Sequence, residues 1–174
     1  MESARRVDRL VEELELILVS HSDPREIFSE FTRSLEQVYD INKGMLALME
    51  GDQARFLAVA TFSRGKVRKN LSLRLPLNTS LFHKVAEHGQ MYAENFAEFY
   101  DGNLIEKRLL LDDNTQAFML RPLKFEGKVI AMLGYSSENP DAFATFEEGL
   151  LDPAIDRFGE AIAKHQRRIV EVQQ

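Results

Sequence analysis

The side chains best suited to chemistry in this 174-residue chain are four histidines, a pair of adjacent aspartates and one arginine set in an apolar strand. His83 and His88 fall five residues apart in LFHKVAEHGQ. On a helix that is about 140° of rotation, so the two cannot hold one metal ion together. His88 precedes Gly89, at a helix end where its charged form is favoured. His21 and His165 continue apolar helical stripes and read as core-edge or interface residues. Asp112-Asp113 lies in the polar run DDNTQ, where adjacent acids face water. No catalytic set emerges from these residues, and no glycine-rich phosphate loop is present.

The chain contains no cysteine. Disulfides, zinc–thiolate sites, iron–sulfur clusters and thiol nucleophiles are thereby excluded. A formal charge of −6 argues against a nucleic-acid partner. The basic residues Arg64, Lys66, Arg68, Lys69 and Arg74 cluster near one turn, and on an acidic protein they read as a solvated strand face. No apolar run approaches the ~18 residues of a membrane helix, so no membrane partner is expected. The first 23 residues carry acids within their apolar part and lack the core of a secretion signal. The cytoplasm is the expected location.

Arg121 is the sharpest clue. It interrupts FMLRPLKFEGKVIAMLGYSS, two strands around Glu126-Gly127 that are apolar on nearly every side chain. A hairpin with one wet face would alternate apolar and polar residues. Both of its faces must therefore be covered. Ala117, Met119, Arg121, Leu123 and Phe125 share one face, and a buried guanidinium needs an anion. Glu98, Asp112 or an acidic group on a ligand could supply it.

The elements around this hairpin follow from periodicity and caps. A first helix spans about Ser3 to Ser20, with Val7, Leu10, Val11, Leu14, Ile17 and Leu18 as its stripe. Asp23-Pro24 opens a second helix, with Glu26 completing a capping box, and that helix ends near Asp40. Strands follow at Met45–Met49, Ala54–Phe62 and Lys66–Leu75, the last alternating and peripheral. Asn78-Thr79 caps a middle helix that Gly89 ends. A short strand, QMYAE, leads into an irregular segment from Asn95 to Thr115, and the hairpin comes next. Thr145 with Glu148 opens a long final helix, kinked near Gly149 to Pro153. Hairpin-linked apolar strands between helices imply an α+β fold, a three-layer sandwich around a mostly antiparallel six-stranded sheet. The terminal helices are expected on one face, the middle helix and the 95–115 segment on the other.

Two stretches carry a family resemblance: LPLNTSLFHKVAEHGQMYAEN (Leu75 to Asn95) and QAFMLRPLKFEGKVIAMLGYSSENPDAFATFEEGLL (Gln116 to Leu151). Leu75-Pro76-Leu77, Gly89, Asn95, Pro122-Leu123, Gly127, Val129 to Leu133, and Phe143 with Glu147-Glu148 follow in the order and spacing of a GAF domain. Over roughly residues 25 to 165 the chain resembles this family of small-molecule sensors. The resemblance divides the chain into an N-terminal dimerisation helix (1–22), a GAF-like domain (23–165) and the end of the last helix (166–174).

The family's chemistries can be tried in turn. Cyclic-nucleotide-binding members pair a lysine with an aspartate near Asn139 and Glu147, but Pro140 replaces the lysine here, so that ion pair cannot form. Bilin-binding members and those that reduce free methionine sulfoxide need cysteine, which is absent. A haem ligand would have to be His83, which reads instead as a packed or half-exposed histidine. No cofactor, metal or catalytic residue is expected.

What the resemblance leaves is a ligand cavity beneath the 95–115 segment, acting as a lid. Tyr92, Phe96, Phe99 and Tyr100 fall within nine residues, against 9% aromatic overall. These rings either line a cavity or fill it. With Phe82, Phe118, Arg121 and Tyr135 they form the expected ligand site, in which Arg121 reads an acidic group. Leu151, Ile155, Phe158, Ile162, His165, Ile169 and Val172 repeat at heptad spacing. Together with Val7, Leu10, Val11, Leu14 and Leu18 they form the expected dimer interface, a four-helix bundle across a two-fold axis. The function expected is a non-enzymatic sensory or regulatory domain that binds a small-molecule effector under the 95–115 lid and signals to a separate protein through helix packing in a homodimer. The alternative is a dimerisation or docking module whose pocket is filled by its own rings.

Overall fold

Two left-handed dipeptides fix the register of the sheet. In this computed structural model, which describes residues 2–50, 55–144, 149 and 151–173 and side chains within 6–167, Arg64 and Gly65 have φ of 47° and 87°, and Glu126 and Gly127 of 52° and 81°. Two successive positive φ angles make the tight hairpin turn whose twist matches that of the flanking strands. The first joins β2 (Arg55–Ser63) to β3 (Lys66–Arg68), the second β6 (Ala117–Phe125) to β7 (Lys128–Ser137). With β1 (Lys43–Glu50), β4 (Leu73–Arg74) and β5 (Tyr92–Glu94) they form a seven-stranded sheet in the order β3-β2-β1-β7-β6-β5, with β4 also on β2. Every pairing is antiparallel.

Seven strands stand where six were expected because Lys66–Leu75 is not one strand. Arg68 lies opposite Thr61 and Leu73 opposite Ala58. Five steps on one side therefore face three on the other, and Lys69–Ser72 must leave the ladder. Arg25 reaches into that break, donating to the carbonyls of Val59 (3.3 Å) and Leu71 (3.4 Å).

Both faces of the sheet are covered. On one lie α1 (Glu2–Ser20), α2 (Pro24–Glu36) and α5 (Asp152–Gln173), packed on Leu46, Val59, Phe62, Met119, Leu123 and Leu133. On the other lie α3 (Leu81–His88) and α4 (Leu104–Leu110), over Met45, Phe56, Phe118, Leu120 and Met132. That enclosure explains the uninterrupted apolar character of β6 and β7. Burying both faces of such strands is the largest favourable term holding the layers together.

The caps differ in detail from expectation. Asp23 caps α2 by accepting from the Arg25 amide, but Glu26 turns outward to Lys69 at 2.8 Å instead of closing a capping box. Ser80, not Asn78-Thr79, caps α3, and Gly89 ends it at φ 71°. Pro153 falls in the first turn of α5, where a helix tolerates proline, and the kink expected near Gly149 to Pro153 falls partly outside the described residues. The expected opening at Thr145 and Glu148 lies outside the described residues.

The heptad stripe is largely absorbed by the chain itself. Leu10, Leu14, Leu151, Ile155, Phe158 and Ile162 are all buried in the layer that α1, α2 and α5 form on the sheet. They are core residues, not a dimer interface. Val7, Val11, Leu18 and His165 are half-buried, and the side chain of Ile169 lies outside the described residues. Gly159 shows how closely α5 sits, since a Cβ there would overlap the backbone of Lys124 in β6.

Candidate functional site

The segment from Asn95 to Thr115 is not irregular. It holds a 3-10 turn (Ala97–Phe99) and α4. Asn103 starts α4 by accepting from the Glu106 amide at 2.9 Å. Asparagine followed three residues later by glutamate is the sequence signature of a helix start. The glutamate side chain, however, does not fold back to the cap's own amide. It leaves α4 and enters the interior.

Glu106 is fully buried. Its Oε1 accepts from the amides of Leu81 (3.0 Å) and Phe82 (3.3 Å) at the start of α3, and from the Tyr100 hydroxyl (3.0 Å). Its Oε2 accepts from the Asn103 side-chain amide at 2.8 Å, and the same amide group also bonds the Pro76 carbonyl at 3.1 Å. The positive end of a helix is a natural seat for an acid. Here the chain supplies that acid itself. Burial pushes the Glu106 carboxyl above its ordinary value, against hydrogen bonds from Ser80, Tyr100 and the two amides. Burial, then the adjacent carboxyl, raises the Tyr100 phenol well above its own. Gly102 leaves room for the pair, because a Cβ there would collide with the Tyr100 ring and approach Glu106 Oε1 to 2.9 Å.

The rings expected beneath the segment divide into two groups. Phe82, Tyr100 and Phe118 are buried together on the α3 side. Tyr100 meets Phe118 edge to face at 4.8 Å, and the half-buried Tyr92 lies 5.7 Å from Phe118. Phe96 and Phe99 point outward, 57% and 58% exposed, and pack on each other. They do not line an interior.

Arg121 and Tyr135 are corrections to the expected site. Both face the opposite layer, toward α1, α2 and α5. The Arg121 guanidinium, mostly buried, lies 2.6 Å from Asp152 and 3.8 Å from Asp156 on α5. Neither Glu98 nor Asp112 is its partner. Asp112 instead meets Arg64 at 2.8 Å, and hydrogen bonds from Arg64, the Asn114 amide and Thr115 outweigh burial to hold its carboxyl below the ordinary value. Tyr135 stacks on Phe28 at 6.2 Å and bonds the Thr32 hydroxyl at 2.7 Å. Full burial raises its phenol.

His83 packs against Phe56 at 4.9 Å, with Nδ1 2.6 Å from the Ser80 hydroxyl. Of the basic cluster, Arg64, Lys69 and Arg74 each have acidic partners, as a solvated strand face would. Among the described residues no helix is long and apolar enough to cross a membrane.

No protein-family profile matches the chain, and no curated protein matches it either. Solved structures do. The GAF domain of a phosphoenolpyruvate-protein phosphotransferase from Coxiella burnetii superposes with a TM-score of 0.79 at 14% identity, covering 96% of this chain and 98% of that one. The corresponding domain from Acinetobacter gives 0.71 at 15%, covering 96% of each chain. Free methionine-R-sulfoxide reductase from Neisseria meningitidis, solved with its substrate, gives 0.66 at 13%, covering 94% of this chain and 93% of that one. The fold is that of a GAF domain. It is a fold that carries regulatory domains and enzymes alike.

Proposed function

We propose that this chain is a non-catalytic regulatory domain that works as a homodimer, the space beneath residues 95–115 being filled by its own side chains. Glu106 carries this reading. An acidic effector seated at the start of α3 would have to displace a carboxyl already bonded to two helix amides, a phenol and an asparagine. An apolar one would have to displace Tyr100 and Phe118. The 95–115 segment is on this view a fixed wall, not a lid. Reduction of methionine sulfoxide through cysteine thiols has no thiol to run on in this chain.

The partner is a second copy. On the outer face of α1, Leu16 and Val19 are 66% and 84% exposed. Beside them, a groove of about 520 Å³ between α1 and α5 carries Glu15 and Glu160 alongside Arg157 and Lys164. A two-fold contact requires one patch to complement itself, and neighbouring charges of both signs allow that. A shift in how the four helices pack would then reach a separate signalling protein as a change of population.

Light scattering on the intact chain tests the reading. The expected result is a dimer mass at micromolar concentration that Val19→Glu converts to a monomer. A wild-type monomer, or a co-purified small molecule found against Tyr100 and Phe118, would overturn it.

A further inference from the structure

Along α3, from His83 to Gly89, a cleft of about 690 Å³ opens between the helix and the β6–β7 hairpin. Its apolar lining is Met49, Phe56, Leu77, Ala86 and Val129, and its polar lining includes His88, Glu87, Lys124 and Lys128. The volume lies within the range of small-molecule sites. We propose that this cleft binds a small anion with an apolar body, a carboxylate or a phosphate ester.

The argument rests on the sign and setting of the charges. The protein as a whole carries −6 with its histidines neutral, yet the charged side chains lining this cleft are two lysines against one glutamate. Concave walls focus such a field and raise the local concentration of an anion. Lys69 and Lys84 are held by Glu26 and Asp101, whereas among the described residues neither Lys124 nor Lys128 has an acidic partner. Lys124 is also positioned. Its side chain crosses Gly89, where a Cβ would stand 3.3 Å from Nζ, so the ammonium lies at the C-terminal end of α3, the helix end that attracts a cation. Gly89 thus ends the helix and clears the path for the lysine. Below the cations, Phe56 and His83 offer a ring pair at 4.9 Å, with Met49 and Val129 beside it. A charged rim over an apolar floor suits a ligand with a ring or branched chain at one end and an acid at the other.

This inference is independent of the self-filled interior, because none of Tyr100, Glu106 and Phe118 lines the cleft. Either can fail alone. The test is a titration of the ¹⁵N-labelled full chain with phenyl phosphate and phenylacetate, with benzylamine and benzyl alcohol as cationic and neutral counterparts. Both anions, or either one, should shift the Gly89, Gly127 and Lys128 amides saturably, and the tighter of the two identifies the head group. The cation and the alcohol should bind about tenfold more weakly or not at all. Replacing Lys124 and Lys128 with methionine should weaken the anions by about tenfold, and because both side chains are exposed the rest of the spectrum should stay as it is. No shift at these amides with either anion at millimolar concentration would overturn the proposal. So would an alcohol that binds as tightly as the anions, or a double variant that binds them unchanged.

Discussion

The Tyr100 hydroxyl lies 3.0 Å from Glu106 Oε1, and both side chains are buried between α3, α4 and the sheet. Neither residue owes its place to a sheet ladder. Glu106 is carried in by α4, and Tyr100 by the turn before it, across Gly102. Their meeting joins the 95–115 segment to the start of α3, and in the function proposed above it closes the space a ligand would need.

Acid titration should report this contact. Folding raises the Glu106 carboxyl above the value it has in the unfolded chain. Between those two values the native state keeps a proton that the unfolded chain has released, so the site's contribution is complete below the window and falls as pH rises through it. Glu106→Gln has no such titration. Urea unfolding of both proteins across the acid range should show wild type losing ground to the variant as pH rises. A pH-independent difference would speak against the buried carboxyl.

Arg121 should behave as a link between β6 and α5. Asp152 and Asp156 are 44% and 72% exposed, so the pair is worth only about 1 kcal/mol, and less in high salt. Arg121→Met keeps most of the buried apolar stem and should change the urea midpoint little. Arg121→Ala should lose more, because packing goes with the charge. In neither variant should anion binding at the α3 cleft change, and a loss there would return Arg121 to the ligand side.

Gly159→Ala tests the seating of α5. The added methyl would meet the Lys124 carbonyl, which belongs to the sheet and cannot swing aside. Overpacking of this kind costs roughly 1–3 kcal/mol. Thermal unfolding should show a clear loss, and a neutral outcome would mean that α5 sits farther from β6 than described.

Much of the fold was legible because apolar pattern and turn chemistry agree. Glu126-Gly127 and the unalternating hairpin imply a sheet covered on both faces, and α3, α5 and the rest take those places. Side-chain parity along β6 already separated Phe118 from Arg121, so a site containing both was inconsistent with the strand that carries them. The break at Lys69–Ser72 was hidden, since alternation survives an insertion of two residues. The heptad stripe of α5 misled for a different reason: spacing reports that a face is buried, not whether sheet or twin subunit buries it. Asn103 and Glu106 had a readable signal, the start of α4, but no local pattern says that a cap glutamate will serve another helix.

Removal of the carboxyl tests the central claim most directly. Glu106→Ala leaves two helix amides, a phenol and an asparagine amide without their acceptor, at a cost of about 3 kcal/mol. Added acetate should enter the vacated seat and raise the variant's thermal midpoint saturably, beyond chloride at equal ionic strength, while leaving the wild type unmoved. A wild type stabilised by acetate as much as the variant, or a variant as stable as the wild type without it, would contradict a site occupied by the chain's own acid.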